Sequence, residues 1–238
     1  MINPSAAPHG ISFLNVSLSR DGQPVLKDLS LDLYEQRIGL IGHNGSGKSS
    51  LVRLINGLLQ ADAGDITACG QSPVVGPEQM SAHVGFIFQN PDHQIIFPTV
   101  EEELTFGLLN QGQTQKQARQ SAHALLAEHN RSDWADRPVH SLSDGQKQLV
   151  CILSVLLMQP HVLILDEPFS ALDLPTRYQL LALLEALPQQ ILMISHELET
   201  LQRFDRIIWL HRGRVYRDGP PDLVLPEYQQ QARDGAGL

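Results

Sequence analysis

The chain has 238 residues, 42% hydrophobic and 18% charged, a globular composition that excludes a wholly disordered protein. At this length it buries a core without needing disulfides or metals as staples. Its 17 basic and 26 acidic residues leave a net charge of −9 with no Lys/Arg run, which argues against a nucleic-acid or anionic-membrane binder.

Residues 1–10 show no basic region followed by an apolar stretch, so they predict a flexible N-terminus and no secretory signal. Residues 11–20 and 25–34 alternate loosely between apolar and polar around Asp21-Gly22, which predicts a β-hairpin. Ile38–Ile41 reads as a short buried strand, followed by a Gly-rich turn and an amphipathic helix through Asn56. Gly64-Asp65-Ile66 and Cys69-Gly70 bracket another short strand, and Val84–Phe88 forms a further one. From Thr99 to His129 apolar residues recur three and four apart (Leu104, Leu108; Ala118, Ala122, Leu125, Leu126), predicting two helices split at Gly112. A third helix runs from near Ser143 to Met158, with Pro160 beyond its end. Strands at Val162–Leu165, Ile191–Ser195 and Arg206–Leu210 then alternate with helices at Thr176–Leu187 and Glu197–Phe204. That alternation implies a parallel sheet with covered faces.

The expected architecture is therefore an α/β domain over 11–225, with an antiparallel β start and a helical insertion at about 90–158. The tail 226–238, rich in Gln, Gly and Ala, is expected to be flexible. Cys69 and Cys151 fit no metal or redox spacing and read as small buried hydrophobes. No apolar run reaches the ~18 residues of a membrane span, so any membrane role comes through a partner.

Gly42-His43-Asn44-Gly45-Ser46-Gly47-Lys48-Ser49 fits G-x-x-x-x-G-K-[ST] between a strand and a helix, with Ser50 next on that helix. Its glycines let the backbone curl so that N–H groups face a polyphosphate, and the helix adds its positive end. Lys48 suits the β- and γ-phosphates, and the Ser49 hydroxyl suits Mg²⁺. A Gly-rich helix cap would explain the glycines but not the Lys and Ser, so nucleotide binding is the better reading.

Val162–Leu165 ends in Asp166-Glu167, at the strand end where a parallel sheet places its ligands. Asp166 suits the Mg²⁺ shell, and Glu167 the general base that polarises an attacking water. An acidic helix cap is the bland alternative, and the phosphate loop makes it the weaker one. His196 follows another apolar strand to the same sheet edge; alone it would be an ordinary capping residue.

Leu142-Ser143-Asp144-Gly145-Gln146, about twenty residues ahead of the acid pair, resembles the signature motif of ATP-binding-cassette (ABC) ATPases, usually Leu-Ser-Gly-Gly-Gln. The other elements then match in family order. Gly42–Ser49 corresponds to Walker A, Gln89 to the Q-loop glutamine, a further Mg²⁺ contact, and Val162–Glu167 to Walker B. Ser170-Ala171-Leu172-Asp173 corresponds to the D-loop and His196 to the switch histidine. The resemblance implies a P-loop NTPase with a parallel-sheet core, an N-terminal antiparallel β subdomain and an α-helical signature subdomain. It also implies ATP and Mg²⁺ as ligands, and a second ATPase subunit, identical or paralogous, whose signature caps this chain's nucleotide.

Two residues depart from the family pattern. Arg20 stands where an adenine-stacking aromatic belongs; its guanidinium can stack, Phe13 is a substitute, and a solvated hairpin residue is an even alternative. Asp144 replaces the first signature glycine, and a charge near polyphosphate predicts that it turns outward, capping the helix or pairing with Lys147.

Gln89-Asn90-Pro91-Asp92-His93-Gln94, with Phe97–Gly107 after it, resembles the Q-loop of energy-coupling-factor (ECF) ATPases. That implies a peripheral subunit on the cytoplasmic membrane face, docked on a transmembrane coupling subunit and through it on a membrane substrate-binding subunit. Glu101–Glu103 are candidates to meet basic residues of the coupling subunit, or else a solvated first helix turn. The cargo implied is a vitamin such as biotin or a metal ion such as cobalt or nickel, and the short C-terminal region favours biotin. The alternative is an ABC ATPase of iron–sulfur assembly or lipid trafficking.

Overall fold

A computed structural model describes residues 10–170 and 172–235. The expected flexible ends at 1–9 and 236–238, and Ala171 of the D-loop, lie outside the described residues. The strands, in chain order, are β1 (Ile11–Arg20), β2 (Gln23–Leu33), β3 (Arg37–Ile41), β4 (Ala63–Ala68), β5 (Val84–Ile87), β6 (Val162–Asp166), β7 (Gln190–Ile194), β8 (Arg206–His211) and β9 (Arg214–Gly219). The helices are α1 (Lys48–Ile55), α2 (Pro77–Met80), α3 (Val100–Asn110), α4 (Gln115–Glu128), α5 (Asp144–Leu157), α6 (Leu174–Ala186), α7 (Leu198–Leu201) and α8 (Pro221–Arg233). They fall into two compact units: one through Val84 with His161–Asp166 and the chain from Gln189 on, the other of Gly85–Pro160 and Glu167–Pro188.

The first unit contains an antiparallel sheet of order β2-β1-β4. Its hairpin turns at Asp21 (φ 51°) and Gly22 (φ 74°), both left-handed, which is why an Asp-Gly pair occupies the turn. Ile11, Phe13, Val16 and Leu18 of β1 are buried; an irregularity between Phe13 and Val16, with Asn15 at φ 51°, breaks the strict alternation. Beside it in the same unit lies a second sheet, β6-β7-β3-β8-β9, in which β6, β7, β3 and β8 are parallel. Parallel strands covered on both faces read as continuous apolar runs, and Ile191–Ile194 and Val162–Leu165 are buried throughout.

The edge of this sheet differs from expectation. β9 is polar and exposed and shows no alternation, yet it pairs antiparallel with β8 around Arg212 (φ 46°) and Gly213 (φ 80°). Residues 226–233, expected to be flexible, continue α8. The helix is held by Val224 and Leu225, both buried, by Tyr228 standing edge-on to Trp209 (4.9 Å, 84°), and by an Arg217–Glu227 ion pair at 2.7 Å. Tertiary burial supplies what the polar composition lacks.

The second unit packs α3, α4 and α5 around Val100, Leu104, Ala122, Leu126, Val150 and Leu153. Each helix begins with a reciprocal capping box: Thr99 with Glu102, Thr114 with Gln117, Ser143 with Gln146. The three adjacent glutamates of α3 are all committed within this unit. Glu101 pairs with Arg119 (2.7 Å) and His123 (2.6 Å), while Glu102 completes the capping box. Glu103, 6% exposed, accepts from the N–H groups of Ile96 and Phe97, each at 2.9 Å. Glu101 thus ties α3 to α4, Glu102 completes the cap and Glu103 holds the chain before α3; a freely solvated turn, one of the two expectations, is corrected for Glu101 and Glu103.

Candidate nucleotide site

In the first unit β3 runs straight into the phosphate loop. Gly42 has φ +145°, and a Cβ there would stand 2.2 Å from the Leu210 carbonyl oxygen, so only glycine fits. Gly47, at φ +105°, precedes α1, and no side chain caps that helix. A helix start without a side-chain cap suits an anionic ligand. Lys48 is 7% exposed and folds back to donate to the carbonyls of Gly42 (2.6 Å) and His43 (3.2 Å). The buried Ser46 hydroxyl oxygen has no hydrogen-bond partner among the described residues, which fits a loop whose polar atoms serve a phosphate. Asn44 and Gly45 are exposed, and Ser50 is buried behind them on α1.

Asp166 closes β6. Leu40 and Asp166 are both in register with Ile194, so β3, β6 and β7 end level, and His196, exposed, lies two residues beyond. Burial raises the Asp166 carboxyl above the usual carboxylate range, and the cations of Arg53 and Lys48 and a Ser49 hydroxyl hydrogen bond oppose the shift. Ser49 and Asp166, both singled out for Mg²⁺, therefore meet. Arg53 was not legible as a site residue, because a lone Arg in the last turn of a helix resembles any C-terminal cation.

Arg20 is exposed at the hairpin end, and Phe13, the substitute adenine-stacker, is 2% exposed in the sheet core. Phe13 is thereby removed from that role, since stacking would require it to leave the core.

The second unit carries the rest. Glu167 has φ +51°, a left-handed conformation that costs a non-glycine residue about 1 kcal/mol and concentrates at functional sites. Gln89 donates to the Ser170 hydroxyl at 3.4 Å. The residues around Gln89 are fastened to α5: Lys147 to Asp92 (2.7 Å), Gln94 to the Cys151 carbonyl (3.4 Å) and the buried Gln148 to the Phe88 carbonyl (3.4 Å). Gln148 and Lys147 were unreadable as supports, since a Gln and a Lys on a helix look like solvent-facing residues. Asp173 caps α6 by accepting from the Thr176 N–H at 2.8 Å, and that residue's hydrogen bonds hold its carboxyl below the usual range.

Ser143 is the cap of α5, accepting from the Gln146 N–H at 3.3 Å, which leaves its own hydroxyl proton available to a ligand. Asp144 is exposed in the first turn, where the helix dipole favours a carboxylate. The capping residue is Ser143 and the ammonium of Lys147 goes to Asp92, so both partners expected for Asp144 are corrected. A Cβ on Gly145 would lie 2.3 Å from the Thr176 methyl. Gly145→Ala is therefore expected to destabilise the chain by about 1–3 kcal/mol, and Thr176→Ser in the same chain to restore most of that. Thermal denaturation of the four variants of the cycle checks it; equal losses with and without Thr176 would refute the contact.

The ABC transporter family profile matches residues 26–170. The chain is 47% identical over 226 residues to the biotin transport ATP-binding protein BioM of Rhodobacter capsulatus, covering 93% of this chain and 97% of that one. It is 35% identical over 219 residues to the energy-coupling factor transporter ATP-binding protein EcfA1 of Bacillus subtilis, covering 90% and 78%. The structure of cbiO1 from Clostridium perfringens, described as part of the ABC transporter complex cbiONQ, superposes with a TM-score of 0.79 at 26% identity, over 96% of this chain and 95% of that one. Among the described residues no helix is long and apolar enough to cross a membrane. Because the profile spans both the phosphate loop and the acids after β6, and full-length relatives align over nine-tenths of the sequence, the chain belongs to the ABC transporter family as an ATP-binding subunit, with ATP hydrolysis coupled to transport as its activity.

Proposed function

We propose that this chain is the ATPase subunit of an energy-coupling-factor importer with biotin as cargo. The observation that carries this reading is the 47% identity to BioM over nearly the whole of both chains. The EcfA1 relative and the cbiO1 fold support the wider ECF class. Two copies, or one copy and a paralogue, would each lend Ser143, Gly145 and Gln146 to the nucleotide on the other, with Asp144 turned aside and Asp173 in the D-loop alongside.

Within one copy the loop 42–49 holds the phosphates, with Lys48 leaving its carbonyl partners for them. Ser49 and Asp166 hold Mg²⁺ with Gln89; their hard oxygen donors suit that ion, and the hydrogen bond between Ser49 and Asp166 brings two of them together. Mg²⁺, when bound, neutralises charge on the β- and γ-phosphates. Glu167 is the general base for the attacking water and His196 orients the γ-phosphate end of the site. Arg20, exposed near the end of β1, is a stacking surface for adenine.

For the membrane coupling subunit the second unit offers an apolar face. Ile96 is 71% exposed and Phe106 38%, with Phe97 packed on Phe106 (ring centroids 5.0 Å apart). With Glu101 and Glu103 occupied internally, the docking face is carried by these apolar side chains, beside the exposed Glu102. Membrane vesicles carrying the cognate coupling and substrate-binding subunits are expected to take up labelled biotin with ATP only when this chain is present. Uptake of cobalt or nickel in place of biotin would overturn the cargo, and uptake independent of this chain would overturn the role.

A further inference from the structure

The phosphate loop is braced from outside by the C-terminal part of its own unit. The Leu210 carbonyl of β8 stands behind Gly42, and the Gly213 N–H in the β8–β9 turn donates to the Ser46 carbonyl at 3.1 Å. A third contact is made by side chains: the rings of His43 and Tyr228 lie 6.0 Å apart at 50°. His43 is exposed on the loop, whereas Tyr228 belongs to α8. Tyr228 is fixed on its other side by Trp209, a fully buried ring that also meets Tyr216 edge-on at 4.6 Å. The helix itself is tied down by Glu227 to Arg217 at 2.7 Å and by Gln231 donating to the Tyr216 hydroxyl at 3.0 Å. A path of packed rings thus runs from the buried Trp209 through Tyr228 to the second residue of the loop.

We propose that Tyr228 is a positioning residue for ATP: by packing on His43 it carries the rigidity of the C-terminal helix into the phosphate loop. The loop contains glycines at 42, 45 and 47, and a chain so rich in glycine loses much conformational freedom when a polyphosphate orders it. Every contact that restrains the free loop reduces what binding must still order. The two backbone contacts fix the base of the loop at Gly42 and Ser46; the ring pair restrains the His43 segment between them. Tyr228 is a positioning residue: it packs on His43 and acts on the phosphates through that ring. The inference rests on the assignment of loop 42–49 as the ATP site.

Calorimetric titration of the full chain with ATP and Mg²⁺ tests it. Tyr228→Ala is expected to weaken ATP binding about threefold to tenfold, the size of effect that a ring pair supports. Tyr228→Phe, which keeps the ring, is expected to bind as the unaltered chain does. His43→Ala, at an exposed loop position that does not endanger the fold, is expected to lose a similar factor, and the double variant no more than either single one. Losses that multiply in the double variant, or a Tyr228→Phe that loses as much as Tyr228→Ala, would overturn the ring contact. ATP binding within twofold of the unaltered chain for both Tyr228→Ala and His43→Ala would do the same. If the unaltered chain bound no ATP, the site assignment itself would fall and this inference with it.

Discussion

Glu167→Gln is expected to lower ATP turnover about 10²–10⁴-fold while leaving ATP binding intact. The carboxamide keeps the shape of the side chain and its fit to a left-handed backbone, so the φ of +51° after β6 is no harder to hold. What it loses is the ability to accept a proton from the attacking water. ATP that binds but is not cleaved should keep two subunits together, so the variant is expected to elute as a nucleotide-dependent dimer in size-exclusion chromatography. Single-turnover hydrolysis near the rate of the unaltered chain would remove Glu167 from the role of base.

Lys48→Ala is expected to abolish ATP binding in the micromolar range, a loss of roughly 10²-fold or more, because a charge-assisted partner of the phosphates disappears. Lys48 is 7% exposed and donates to two loop carbonyls, so the free chain should also lose about 1–3 kcal/mol of stability. A second consequence follows from its neighbour. The Asp166 carboxyl is raised by burial and pulled back by Arg53, Lys48 and the Ser49 hydroxyl. With Lys48 gone one opposing cation is lost, so the Asp166 carboxyl rises further and Mg²⁺ competes with a proton at a higher pH. The sign is therefore that Mg²⁺ affinity in this variant falls off on acidification sooner than in the unaltered chain. Titration of ATP and of Mg²⁺ at two pH values reads both effects; unchanged nucleotide affinity would refute the assignment of Lys48 to the phosphates.

The motifs of the candidate site were legible because they are local. A phosphate loop needs glycines, a lysine and a hydroxyl within eight consecutive residues, and their order in the chain is their order in space. The Asp-Gly turn and the buried parallel strands were legible for the same reason, each being set by residues within a few positions of one another, whereas the three capping boxes, equally local, went unread and the cap of α5 was assigned to Asp144 instead of Ser143.

What the sequence did not determine are the contacts between residues far apart in the chain. Glu101, Glu102 and Glu103 look like one acidic run, yet three different environments take them: an Arg and a His from α4, a capping box, and the N–H groups of Ile96 and Phe97. Lys147 had Asp144 three residues away and chose Asp92, fifty-five positions off, because the segment after Gln89 folds onto α5. Phe13 looked available for adenine until the sheet buried it. Residues 226–233, which composition reads as flexible, lie in a helix, because Val224, Leu225 and Tyr228 find an apolar surface on β8 that no local pattern announces. A polar segment's helicity is decided by the free energy of burying a few side chains against a distant strand, and only the tertiary structure contains that strand.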